Sequence, residues 1–304
     1  MANWRKVRRR RKLHNRWSRT SKSVEKSRRL LKLGKFALIG VIVFFVGLFL
    51  LLPIFAYNLP SPDKVLRREG FSTKILDRNG EVLYDIFADQ KRTPVELKNV
   101  PEHLKNATIA IEDKNFYKHQ GFDPTGILRA AYNIVFKQRL QGGSTLTQQL
   151  VKNVLLTPER TVWRKLKEFI LAIQIERKYS KDEILQMYLN EAPYGGTAWG
   201  VEAAAETYFD KKVQDLNLVE SAFLAGVPQS PSIYSPYSSQ PDAYIGRTKQ
   251  VLRRLKEDQK ITEEDENQAI EDLDNLQFQA RGANFKAPHF VQYVREQLVK
   301  LFGE

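Results

Sequence analysis

Three groups of residues could do chemistry. Glu112 and Asp113 close an apolar run (Ala107, Ile109, Ala110, Ile111) and lead into the polar and aromatic stretch 114–123. A carboxylate at the end of an apolar helix can face a cleft while its neighbours are buried, and such partial burial tunes it for general-base work. Taken alone, the pair is weak evidence, since most Glu-Asp pairs are helix-end charges, and nothing in it separates Glu112 from Asp113. Glu168 lies in RKLKEFILAIQIE, 164–176. At about 100° per residue it shares a face with Arg164, Leu171, Ala172 and Ile175. A carboxylate on so apolar a stripe needs a partner, and Arg164 at i−4 can supply one. That reads either as a salt bridge on a core helix or as a second acid in a cleft built for a phosphorylated ligand. Positive charge recurs at Lys152, Arg160, Arg164, Lys165 and Lys167. Between the two acidic regions, GGSTLTQQ (142–149) looks like a tight loop capping a helix start, where free backbone amides favour an anion. It is not a Walker loop, because no GK[ST] follows. An ordinary N-cap is the competing reading.

These residues need helices to hold them. The apolar spacing predicts helices over 101–113, 125–140, 145–155, 161–179, 181–189, 201–208, 217–225, 243–258, 262–276 and 288–302. Two β-rich runs, 72–76 and 81–87, flank Asp77-Arg78-Asn79-Gly80, a hairpin signal. The segment 125–140 mixes Ile127, Leu128, Ile134, Val135, Phe136 and Leu140 with Arg129, Lys137 and Arg139. It suits either core packing or a bilayer headgroup region.

The formal charge is +14, but residues 1–35 hold 15 Lys/Arg against one acid, and the remaining 34 basic and 34 acidic residues cancel. The excess therefore marks an arm, not a nucleic-acid-binding body. The arm runs into FALIGVIVFFVGLFLLLPIFAY (36–57), with no charge between Lys35 and Asp63. That length spans about 33 Å as a helix, enough for a hydrocarbon core of about 30 Å. A cleaved signal peptide fits less well, because 57–60 offers no small-residue cleavage pattern. The positive-inside rule puts the arm in the cytoplasm and the body outside the cytoplasmic membrane, as a single-pass protein. The chain has no cysteine, so disulfides and thiolate metal sites are excluded. Its four histidines are scattered and form no HExxH.

Five motifs then appear in order: EDKNFYKHQGFD (112–123), GGSTLTQQLVKN (142–153), RKLKEFILAIQIER (164–177), SKDEILQMYLNEAPYGGTAWGVEAAAETYF (180–209) and LVESAFLAGVPQSPSIYSP (218–236). In these the chain closely resembles the peptidoglycan glycosyltransferase domain of class A penicillin-binding proteins, from about residue 63 onward. The resemblance implies a mainly α, lysozyme-like domain with a small membrane-proximal jaw and β-hairpin, behind one transmembrane helix. The expected divisions are 1–35 arm, 36–57 transmembrane helix, 58–100 linker and hairpin, 101–282 glycosyltransferase domain and 283–304 linker to a second domain. The implied substrate is lipid II, with the growing glycan strand as acceptor. The implied roles are Glu112 as base for the acceptor hydroxyl and Glu168 as its orienting partner. Lys152, Arg160, Arg164 and Lys167 would hold the diphosphate, with Ser144, Thr145 and Gln149 near sugars or phosphates. No cofactor is required, although a divalent metal, Mg or Mn, could assist at the diphosphate. Partners would be the membrane and other cell-wall synthesis proteins.

The family's transpeptidase motifs are not matched. The one SxxK, Ser23-Val24-Glu25-Lys26, lies in the arm, and no KTG follows. The expectation is therefore a chain lacking the transpeptidase, unable to bind penicillin. Two rivals remain. A lytic transglycosylase or lysozyme-like hydrolase would share the fold but has no diphosphate to hold. A non-catalytic envelope scaffold would not need both glutamates with the cations.

Overall fold

The computed structural model describes residues 59–65, 73–80, 82–86, 91–126, 143–157, 159, 161–280 and 287–302, with Lys35 and Ile39. Apart from Ile39, the expected membrane helix 36–57 lies outside the described residues, as do most of the segment 125–140 and Arg160. Among the described residues, no helix is long and apolar enough to cross a membrane. Pro60–Glu304 form one compact unit.

The unit is mainly helical, as expected. Its helices are α1 (Glu102–Glu112), α2 (Leu146–Val154), α3 (Val162–Lys178), α4 (Lys181–Glu191), α5 (Val201–Phe209), α6 (Leu218–Gly226), the single turn α7 (Pro231–Tyr234), α8 (Ala243–Glu257), α9 (Glu263–Asp274) and α10 (Pro288–Phe302). Side-chain caps explain where several begin. Thr145 and Thr161 accept from the N–H groups of Gln148 and Arg164. Ser180 with Glu183, Asn217 with Glu220, and Thr262 with Asp265 form reciprocal capping boxes.

Helix α6 is buried from Val219 to Gly226, so it is the centre of the core rather than an amphipathic surface element. Helices α1 and α8 pack on it and on each other, whereas α2 packs between α3 and α4. An aromatic cluster closes the far side. Tyr208 stacks on Tyr237 at 5.6 Å, and Phe223 meets Phe278 at 5.0 Å. The second helix group is locked by charge. Lys181 pairs with Glu176 at 2.7 Å and lies over the Phe116 ring, while Thr147 donates to the same Glu176.

The hairpin forms as expected, with β1 (Thr73–Leu76) antiparallel to β2 (Val82–Ile86). The register shifts between Ile75 and Leu76, so the connection is longer than a two-residue turn. Asp77 accepts from the Asn79 N–H, and Gly80 supplies a positive φ of 85°. A second small sheet was not expected. Here β3 (Lys91–Arg92) runs parallel to β5 (Ala198–Trp199), which pairs antiparallel with β4 (Pro193–Gly195). Arg92 anchors it, buried against Glu191 at 2.5 Å and over the Trp199 ring.

Candidate active site

Glu112 is the last residue of α1, at the place where the α1/α6/α8 group meets α2. Its side chain is 9% exposed. Oε1 accepts from Arg247 Nη2 at 3.1 Å, and Oε2 accepts from Gln149 Nε2 at 2.7 Å. Both neighbours are donors, so the site is built for a carboxylate that accepts, not for a carboxylic acid that must donate. Gln149 is itself oriented by the Tyr188 hydroxyl, which donates to its Oε1 at 3.4 Å. Burial, and then the Glu112 charge, push the Tyr188 and Tyr194 hydroxyls upward, so both phenols stay neutral.

Arg247 was not among the expected site residues. It reaches Glu112 from α8, 135 positions along the chain. Its Nε donates to the Gly226 carbonyl, its Nη1 to Gln250, and its guanidinium lies over the Tyr234 ring. Burial lowers its pKa while Glu112 opposes that shift. A Cβ on Gly226 would meet Arg247 Cγ at 2.9 Å, so the small residue ending α6 makes room for the stem.

Asp113 has a different task. Its Oδ2 accepts the Leu146 N–H at 3.0 Å and contacts His119 Nε2 at 2.9 Å. The anion that the α2 N-terminus attracts is therefore Asp113, not a ligand as the sequence suggested. Thr145 is likewise committed. It is buried, caps Gln148 and donates to the Gly121 carbonyl, so its hydroxyl is not offered to sugar or phosphate.

Glu168 sits on α3 with its side chain 3% exposed. Arg164 Nη1 lies 3.3 Å from Oε1, the expected i−4 partner. That contact lacks hydrogen-bond alignment, and among the described residues Glu168 Oε1 and Arg164 Nε are buried without a hydrogen-bond partner. Lys165, outside the expected set, donates to Glu168 Oε2 at 2.7 Å and to Ser144 Oγ at 2.7 Å. Lys152 lies on the surface of α2, yet surrounding protein desolvates it enough to lower its pKa. Glu168 opposes that shift, and Arg164 and Lys165 reinforce it. Lys152 also feels Glu112, so this cation lies within electrostatic reach of both carboxylates. Lys167 is exposed and makes no ion pair among the described residues. A surface cavity of about 480 Å³ near residues 93–99 contains none of these groups.

Among the described residues, no group of three or more His, Cys, Asp or Glu could hold a metal ion. Glu112 and Glu168 are each already paired with cations, so the side chains present do not fit a protein-held divalent metal.

Residues 79–256 match the family model described as Transglycosylase. The chain belongs to the transglycosylase family. Glu112, Lys152, Glu168 and Arg247 all fall inside the transglycosylase match, whereas α9 and α10 lie beyond it. Penicillin-binding protein 1A of Clostridium botulinum is 47% identical over 210 residues, covering 66% of this chain and 25% of that protein. The Aquifex aeolicus protein of that name is 42% identical over 270 residues, covering 87% of this chain and 36% of the relative. The Escherichia coli protein is 41% identical over 232 residues, covering 76% and 27%. The chain thus spans about a quarter to a third of the length of these curated relatives. A crystal structure of penicillin-binding protein 1A from Haemophilus influenzae aligns over 78% of this chain and 25% of that one, with 24% identity and a TM-score of 0.43.

Proposed function

We propose that this transglycosylase-family chain polymerises lipid II into β-1,4-linked glycan, releasing undecaprenyl diphosphate in cell-wall synthesis. The observation that carries the reading is Glu112, a nearly buried carboxylate whose two neighbours both donate to it, with the cations of α2 and α3 in electrostatic reach. The acceptor's GlcNAc 4-hydroxyl gives its proton to Glu112 as its oxygen forms a bond to C1 of the donor MurNAc. The bond from C1 to the diphosphate oxygen breaks with its electron pair, and configuration at C1 inverts. Such a leaving group needs charge stabilisation rather than a proton. Lys152, Arg160, Arg164 and Lys167 supply it, and Glu168 keeps the α3 cations in place. Ser144 stands beside that cluster, and Gln149 holds Glu112 toward the acceptor. Any divalent metal would take its ligands mainly from the diphosphate, and no step here depends on one.

The names of the relatives support the cell-wall assignment. A lysozyme-like body with a membrane-proximal jaw, tethered by residues 36–57 with its arm in the cytoplasm, suits a substrate whose tail stays in the bilayer. Other wall-synthesis proteins are the expected partners, and nucleic acid is not. A hydrolase would need its glutamate as an acid, which the donor-only surroundings of Glu112 disfavour. Labelled lipid II incubated with the full chain should give long β-1,4 strands and free undecaprenyl diphosphate. Shortening of preformed glycan without polymer would instead make the protein a hydrolase.

A further inference from the structure

The cavity of about 480 Å³ beside residues 93–99 is lined by none of the groups assigned to the reaction. Its volume is that of a small-molecule site, about 300–1,000 Å³. One wall is the stretch 93–99, which ends in the 3-10 turn Leu97–Asn99. The other is Glu202 on α5 with the 3-10 turn Val213–Asp215. Both walls are held by side chains. Asn190 on α4 accepts the Val95 N–H and donates to the Val95 carbonyl, each at 2.9 Å, and Gln186 accepts the Leu97 N–H at 2.8 Å. Glu202 Oε2 accepts the Val213 N–H at 3.0 Å. The cavity is thus built into the framework.

Its polar groups are unevenly used. Glu96 and Lys98 pair with each other at 2.5 Å, and Glu202 is committed to Val213. Lys212, Asn99 and Gln214 are exposed, and their side chains make no ion pair or hydrogen bond among the described residues. Thr93 Oγ1 is buried, also without a hydrogen-bond partner among the described residues. Such a hydroxyl is unfavourable unless a ligand supplies the missing bond. Glu96 and Glu202 against Lys98 and Lys212 leave the lining without net charge, so it holds no excess attraction for a polyanion. It carries no aromatic ring on which a sugar could stack. It offers one uncommitted ammonium, two carboxamides that each donate and accept, and the small apolar surfaces of Pro94, Val95 and Val213. Those groups complement a peptide end. The carboxylate suits Lys212, the last amide suits Asn99 and Gln214, and short side chains suit the apolar surfaces.

We propose that this cavity binds the free carboxylate end of a short peptide, with Lys212 as the cation that selects the carboxylate. A protein C-terminus and a peptide made without the ribosome share this chemistry. The site does not depend on the polymerase reading.

The test uses the full chain in detergent, with binding read by calorimetry. The probes are N-acetyl-L-alanyl-L-alanine, its D,D enantiomer, and the C-terminal amide of each. At least one acid should bind roughly tenfold tighter than its own amide, the equivalent of one charge-assisted hydrogen bond. Preference for the L,L acid points to a protein C-terminus, and preference for the D,D acid to a non-ribosomal peptide. Lys212→Met should erase the advantage of the acid and leave binding of the amide unchanged, whereas Lys212→Arg should keep most of that advantage. Lys260→Met, an equal charge change at another exposed position, should bind as the parent does. Acid and amide binding alike to the parent, or an acid advantage that survives in Lys212→Met, overturns the proposal. So does a parent that binds neither acid at about 10 mM, tenfold above a millimolar Kd.

Discussion

Replacing Arg247 with methionine keeps most of the stem and leaves Glu112 without its cation. The guanidinium Nη2 is 3.1 Å from Glu112 Oε1, and the side chains are 6% and 9% exposed. At that separation the attraction is about 5 kcal/mol for an effective dielectric of about 20. Desolvation of both ions offsets part of this, but removing one member of a buried pair strands the other, at a cost of about 3–5 kcal/mol. The Gly226 carbonyl also loses its donor and Tyr234 the cation over its ring. Arg247→Met should therefore lower the unfolding free energy by about 3–5 kcal/mol. Adding Glu112→Gln neutralises the stranded carboxylate and should return about 2 kcal/mol of that loss. Denaturant unfolding of the parent, both single variants and the double variant measures the coupling. If the two substitutions add to within about 0.5 kcal/mol, the ion pair is not what holds Glu112 and the reasoning fails.

Two further outcomes follow from the groups around the base. Asp113→Ala strands the Leu146 N–H and should cost about 1–3 kcal/mol in thermal or chemical unfolding, yet slow turnover far less than Glu112→Gln. Equal kinetic losses in the two variants would mean that the carboxylates share the base role. Burial works against charge on Asp123, but hydrogen bonds from Thr125, Asn115 and the Gly126 and Thr125 amides outweigh it and bring its pKa down to about 2. Because the folded value lies below the unfolded one, this stabilisation is complete above about pH 4 and disappears as pH falls toward 2. Asp123→Asn should thus remove about 1–2 kcal/mol at neutral pH and flatten the acid limb of the stability curve. An unchanged acid limb would contradict the assignment.

Much of the helical frame was legible because capping residues and apolar spacing are local signals. The helix expected over 161–179 is Val162–Lys178, and that expected over 288–302 is Pro288–Phe302. The pairing of Arg164 with Glu168 was legible for the same reason. What escaped was non-local. Strand β3 is two residues long and pairs with a strand 107 positions later, so no period announces it. Arg247 sits among other basic residues on α8, and only the packing of α8 on α1 brings it to Glu112. The choice between Glu112 and Asp113 depended on which carboxylate the α2 amide and His119 would claim, and neither group is adjacent in sequence. Lys165 was within reach of sequence reasoning, since i+3 neighbours share a helix face, but its bond to Ser144 was not.

The central claim is that Glu112 takes the proton from the acceptor hydroxyl. The most direct measurement is the rate of lipid II polymerisation by parent and Glu112→Gln at matched, saturating substrate, with diphosphate binding measured on the same samples. The account predicts a rate loss of roughly 100- to 10,000-fold, the usual size of a general-base contribution, with binding retained. A Glu112→Gln protein that polymerises at the parent's rate would contradict it.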